Sequence, residues 1–213
     1  MYQVKEIFYT LQGEGYHSGR AAVFLRFTGC NLWSGREEDR DNAICQFCDT
    51  DFVGTDGRSG GKYPTATELA DMVAEEWHSG TNSIDAAPFV VCTGGEPLLQ
   101  LDAPLTAALH KAGFEVAVET NGTRPVPDGV DWLCCSPKAG ADMMLKKGNE
   151  LKLVYPQPQL LPSDVDHLEF DHFYLQPMDG PNIVENTSKS IQFCQQNPRW
   201  RLSTQVHKTV GIR

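Results

Sequence analysis

Short apolar runs broken by polar, glycine-rich clusters alternate along the 213-residue chain with stretches of helical periodicity. AAVFLRFTGC, residues 21–30, is β-branched and aromatic and predicts a strand whose end delivers Cys30. PFVVC (88–92), FEVAVET (114–120), VDWLCCS (130–136), NELKLVY (149–155) and HFYLQ (172–176) read as further strands, and WRLSTQVHK (200–208) as a last one. Thr65 with Glu68 predicts a capping box ahead of Leu69, Met72, Val73 and Trp77, which share one helical face. LDAPLTAALHKAG predicts a second helix with Pro104 in its first turn and Gly113 as its stop. ENTSKSIQFCQQN puts Ile191 and Cys194 on a third, moderately amphipathic one. Residues 31–63 follow neither period and predict a long loop, a feature that in compact domains is usually functional.

Strand alternating with helix from start to finish predicts parallel βα units. About seven strands fall short of a closed eight-stranded barrel, which takes about 250 residues. The expectation is an incomplete, TIM-like βα barrel forming one domain over residues 1–213, with a long loop at 28–63. Its open edge would need cover, and a homodimer is expected to give it. TGGEP, ETNG, SPK and QPMDG all follow predicted strands. Strand ends need turn residues in any case, but in a parallel barrel these ends share the rim on which active sites are built. Four such clusters beside a group of cysteines point to a site.

Composition narrows the class of partner. Hydrophobic residues make up 40% and charged residues 22% of the chain, as in soluble globular proteins. A formal net charge of -10 argues against a broad phosphate-neutralising surface, so a small-molecule partner is expected and nucleic acid is not. No basic segment followed by an apolar run opens the chain and no apolar stretch approaches membrane-spanning length, so no membrane partner and a cytoplasmic location are expected. Seven cysteines, an odd number scattered along a cytosolic chain, fit a disulfide framework poorly.

Cys45-Gln-Phe-Cys48 is a tight thiolate pair of the kind used for zinc or iron-sulfur clusters, and Cys30 precedes it by fourteen intervening residues. A structural zinc would want a fourth ligand, and the nearest candidate, His17, lies before the first predicted strand. Cys92, Cys134 and Cys135 sit in buried-looking strands, where a thiol behaves as a small apolar group. Three ligands and one vacancy describe a four-iron cluster with one iron open to an outside ligand. A zinc-binding interaction module remains the alternative from another class.

The motifs EIFYTLQGEG, RFTGCNLW, CQFCDTDFVGT, VCTGGEPLLQ, ETNG, SPK, NELKLV, QPMDG and STQVHK together resemble the 7-carboxy-7-deazaguanine synthase family of the radical S-adenosylmethionine superfamily, in the subgroup with a lengthened cysteine loop. The resemblance implies a partial barrel of the radical S-adenosylmethionine type. It also implies a [4Fe-4S] cluster on Cys30, Cys45 and Cys48 and magnesium at Thr50, where the residues alone would have suggested Asp49 or Asp51. S-adenosylmethionine would meet Phe47, Cys48, Asp49, Gly95, Glu96, Ser136, Pro137, Lys138, Gln176, Pro177, Met178 and Asp179. Substrate would meet Leu11, Gln12, Gly13, Glu14, Arg26, Thr93, His207 and Arg213. Arg26 suits a carboxylate because a guanidinium binds it bidentately, although an arginine in an internal salt bridge is an equal reading.

The reaction implied is ring contraction of 6-carboxy-5,6,7,8-tetrahydropterin to 7-carboxy-7-deazaguanine with loss of ammonia, a carbon-nitrogen lyase step feeding queuosine synthesis. It would be started by a 5'-deoxyadenosyl radical and fed by an electron donor such as flavodoxin. A radical activating enzyme acting on a partner protein would share the cysteines and TGGEP, but would leave LQGEG and SPK unexplained.

Overall fold

The structure is a computed structural model that describes residues 1–83 and 85–213. Nine strands make one sheet: β1 (Tyr2–Leu11), β2 (Ala21–Phe27), β3 (Gly61–Tyr63), β4 (Phe89–Thr93), β5 (Glu115–Thr120), β6 (Trp132–Cys135), β7 (Lys147–Tyr155), β8 (Glu169–Pro177) and β9 (Trp200–Leu202). Their order is β3-β1-β2-β4-β5-β6-β7-β8-β9, and the sheet does not close into a barrel. Seven of them, β2 and β4 to β9, run parallel to one another, and they correspond to the seven expected from the sequence.

Three expectations are corrected. The chain does not begin its sheet at residue 21: β1 precedes it and runs antiparallel to both β2 and β3. Helix does not follow every strand, because β5, β6 and β7 are joined by irregular chain among the described residues. The last expected strand is only β9, after which Val206–Val210 turns into a short helix, α4. Trp200, Leu202 and Val206 share the two-residue period of a strand, but only the first two lie in β9.

α1 (Ala66–Gly80) starts where expected, with the Thr65 hydroxyl accepting from Glu68 N–H at 3.2 Å. α2 (Ala103–Lys111) is capped by Asp102, and α3 (Ile183–Gln196) packs on β8 and β9. Alternate residues of the central strands, such as Leu25, Val90, Cys92 and Val116, point outward against Leu69, Val73, Leu105 and Leu109, and all eight are fully buried. That period-two division leaves the other face of each strand lining the lumen.

The connection between β1 and β2 crosses this lumen. Tyr16 stacks on Trp132 and His172, with ring centroids 4.8 and 4.4 Å away, and His17 packs on Trp132 and Phe89 at 4.4 and 4.9 Å. Arg20 closes the far side by pairing with Glu115 at 2.6 Å and lying over the Phe89 ring. His17 is therefore part of an aromatic floor beneath the site and not a candidate ligand. Burial, the main cause, lowers its pKa, which suits a neutral ring there.

Candidate functional site

A cavity of about 530 Å³ opens above that floor, at the carboxyl ends of the parallel strands. Cys30, Cys45 and Cys48 all line it, although fourteen residues separate the first two. The Leu32 carbonyl explains how: it accepts from the N–H groups of Ile44 and Cys45 at 3.1 and 3.3 Å, so the excursion between them closes on itself. Within the excursion Trp33 packs edge-on against the buried Phe52 at 5.6 Å. Arg40 lies over the Trp33 ring and donates to the carbonyls of Gln46 and Cys48 at 2.9 and 3.1 Å. The inserted residues thus form a compact loop that grips the last two cysteines from behind.

The Cys45 and Cys48 thiols face each other: hydrogen bonding to Cys45 pulls the Cys48 thiol down to about 6 and pushes its partner's up. Cys30 is raised, chiefly by burial. Among the described residues no three Cys, His, Asp or Glu side chains close on one point tightly enough for a single ion. The donor set therefore lacks what a structural zinc needs, four ligands about one ion. Three thiols lining one mouth supply the three-cysteine donor set that an iron-sulfur cluster can take.

The strand-end clusters form the wall beside the cysteines. Glu96 N–H donates to the Gly29 carbonyl at 2.9 Å, tying TGGEP to the turn that carries Cys30. A Cβ on Gly95 would lie 1.9 Å from that carbonyl oxygen, so only glycine allows the approach. Glu96 is fully buried behind the lining. It accepts from Leu98 N–H, the Thr120 hydroxyl and Asn121 N–H at 2.9, 2.7 and 2.8 Å. Burial raises its pKa against the pull of these donors. Lys138 donates to the Ser136 carbonyl and hydroxyl at 2.7 Å each, 5.9 Å from the centre of the Phe47 ring. Gln176, Pro177 and Asp179 line the cavity, as does Thr93 at the end of β4. Pro137 and Met178 are set back, their backbone groups bonded to Gln157, Tyr155 and Asn186.

Leu11, Gln12, Gly13 and Glu14 form the base of the cavity. Gln12 donates to Glu119 at 2.9 Å, and the His207 ring occupies space that only a glycine at position 13 leaves free. Arg26 pairs with Glu6 at 2.9 Å, and the Arg213 guanidinium reaches the other oxygen of the same carboxylate. Of the three residues 49–51, Asp51 is paired with Lys5 at 2.9 Å and Asp49 with Lys208 at 2.5 Å. The Thr50 hydroxyl between them has no hydrogen-bond partner among the described residues and lines the cavity.

Sequence reasoning missed three lysines here. Lys5 anchors the cysteine loop through Asp51, Asp56 and the Val53 carbonyl. Lys208 bridges Asp49 and Asp179, both at 2.5 Å, and Gln205 bonds Glu14 and Asp49, so α4 straps the two halves of the cavity together. Lys152 lies in the base. No sequence signal pointed to any of them, since each partner is remote in the chain.

Both strap aspartates are depressed: burial would raise Asp49, but Lys208 and Gln205 hold it below the usual range, and the Lys208 hydrogen bond does the same for Asp179. A depressed carboxyl contributes stability above its unfolded value of about 4 and loses it as pH falls through the folded value. Lys208→Ala at neutral pH, or acidification of the unaltered chain, should therefore speed hydrogen exchange in α4. The expected gain is roughly 2–10-fold, after correction for the intrinsic rate, because the ions are partly solvated. Unchanged α4 protection in the variant would remove the strap role.

No family model matches the chain. It is 59% identical over 212 residues to a 7-carboxy-7-deazaguanine synthase of Bradyrhizobium diazoefficiens, covering 100% of this chain and 99% of that one. It is 58% identical over 211 residues to the synthase of Burkholderia multivorans, covering 99% of each. The fold superposes on the crystal structure of QueE from Escherichia coli with a TM-score of 0.73 and 28% identity, over 97% of this chain and 94% of that one.

Proposed function

The chain belongs to the 7-carboxy-7-deazaguanine synthase family, and from that premise we propose how its residues divide the work of contracting 6-carboxy-5,6,7,8-tetrahydropterin to 7-carboxy-7-deazaguanine with release of ammonia. The protein is a lyase of queuosine biosynthesis. The observation that carries the residue assignment is the opening of the cysteine loop, the strand-end clusters and the base onto one cavity. When bound, the [4Fe-4S] cluster and S-adenosylmethionine supply the electron and the organic radical, and magnesium supplies Lewis acidity at the substrate.

Cys30, Cys45 and Cys48 would hold the cluster as its protein ligands, beside the wall that would take the methionyl group. Gly95 offers main chain to that group, and Glu96 fixes Thr120 and Asn121 in the adjoining wall. Phe47 and Cys48, with Asp49 and the backbone around Pro137 and Met178, border the adenosine. Ser136, Lys138, Gln176, Pro177 and Asp179 complete that half. Thr50 gives its hydroxyl to magnesium, a role supported by the engagement of both neighbouring aspartates with lysines. Leu11, Gln12, Gly13 and Glu14 read the pterin edge, with His207 and Thr93 beside it. Arg26 and Arg213, both held by Glu6, face the substrate carboxylate. The strap excludes water that would quench a radical.

A second copy would cover an open sheet edge at β9 or β3, making the chain a homodimer of the cytoplasm. An electron donor of the flavodoxin kind completes the partners. The acidic surface disfavours nucleic acid, and no helix among the described residues is long and apolar enough to cross a membrane. Incubating the reduced, cluster-loaded protein with S-adenosylmethionine and the carboxytetrahydropterin should yield the deazapurine and ammonia. Formation of 5'-deoxyadenosine without a deazapurine would refute the reading.

A further inference from the structure

One buried ammonium has no part in the chemistry above. Lys152 lies in the middle of β7, its side chain 4% exposed, 2.6 Å from Glu14 and 3.4 Å from Glu119. Glu14 belongs to the segment crossing the lumen and Glu119 to β5, so one cation ties the base of the cavity to its wall. The remaining contacts fix both carboxylates further. Glu14 Oε1 accepts from Gln205 at 3.0 Å, and Glu119 Oε1 accepts from Gln12. Glu119 Oε2 meets no donor among the described residues, and Glu119, Glu14 and Lys152 all border the cavity.

We propose that Lys152 is a positioning residue for substrate: its ammonium holds Glu14 and Glu119 at a fixed spacing as paired acceptors for the adjacent N–H groups of a 2-aminopyrimidinone ring. The inference rests on the pterin reading and adds to it the group that sets the recognition pair. Two carboxylates sharing a dry wall repel, and without a cation one of them takes up a proton. A protonated carboxyl presents a donor to a ring edge that is itself a donor, and the match is lost.

The charged and titratable groups around the pair are few. Lys152 and Glu150 come from β7, Cys134 from β6 and His207 from α4. Burial works against the charge on Lys152, but Glu119, Glu14, Cys134 and Glu150 hold its pKa well above the usual range. Burial likewise opposes the charge on Glu14, yet Lys152 and Gln205 keep it below its ordinary value. Glu14 therefore keeps its charge beside the Lys152 ammonium.

The test is the affinity of the cluster-loaded, S-adenosylmethionine-bound protein for 6-carboxy-5,6,7,8-tetrahydropterin, measured between about pH 5.5 and 8. The unaltered protein should show a flat profile. Lys152→Met should weaken binding by ~10–100-fold at neutral pH, with KM rising more than kcat falls. Its affinity should climb as pH rises and the proton leaves. Lys152→Arg keeps the charge and should restore the flat profile, and substrate-free cleavage of S-adenosylmethionine should be unchanged in both variants. A Met variant with the unaltered KM, or with the same loss at every pH, overturns the inference. Should that variant fail to fold, the unaltered protein decides, because a carboxyl-like titration in its own affinity overturns the proposal equally. Absence of deazapurine from the unaltered protein instead refutes the pterin reading, whatever the variants do.

Discussion

Alanine at Cys30, Cys45 or Cys48 is expected to give a folded, colourless protein that leaves S-adenosylmethionine uncleaved and forms deazapurine only at background. Folding should survive because the loop does not depend on the thiols. Its closure rests on the Leu32 carbonyl, on Trp33 against Phe52, and on Arg40 beneath Gln46 and Cys48. Cys30 and Cys48 are only partly buried, and removing one sulfur from Cys45 costs about 1 kcal/mol or less. The cluster has no such redundancy, since each thiolate is one third of the protein's ligand set. Visible absorbance, iron and sulfide content and 5'-deoxyadenosine yield are the measurements. Cleavage persisting in any one variant would strike that cysteine from the set.

A large loss of stability from a single polar change is expected at Glu96→Gln. The glutamate oxygens accept from three donors in a fully buried position. An amide keeps one accepting oxygen and turns an NH2 group toward a donor. Hydrogen bonds to a charged group contribute ~1.5–3 kcal/mol each, so the exchange should cost about 2–4 kcal/mol. In a chain of this size that lowers the melting temperature by roughly 5–15 °C. Activity should fall with it, because Glu96 N–H also ties TGGEP to the turn bearing Cys30. A variant that melts like the parent but binds S-adenosylmethionine weakly would show that the carboxylate serves the ligand and not the wall.

Much of this architecture is legible in the residue pattern because the parallel strands bury one face completely. Leu25, Val90, Val116 and Leu151 sit in short β-branched or aliphatic runs that admit one interpretation, and the polar clusters mark where those runs end. β1 escaped because six of its first seven residues are buried, which erases the alternation of a half-exposed strand. β9 was overextended because the chain beyond it keeps a strand-like period by chance. The cysteine spacing misleads for a related reason. Sequence distance counts fourteen residues, whereas the Leu32 carbonyl shortens the path to the turn from Leu32 to Cys45. Lys152 was out of reach because a lysine in a strand usually marks the solvent face. Here the opposing surface is a lumen whose charges come from positions 14 and 119.

The segment between β1 and β2 makes the depth of the cavity the property of one short piece of chain. Gln12 and Glu14 lie on its upper side, while Tyr16, His17 and Arg20 wedge it against Trp132, Phe89 and Glu115 below. Cys30, Cys45 and Cys48 stand in a different stretch of chain and share no residue with it. Nine consecutive residues thus carry a large share of the cavity's base, so exchanging this cartridge should alter which ring the vessel accepts while the cysteine loop keeps its own contacts.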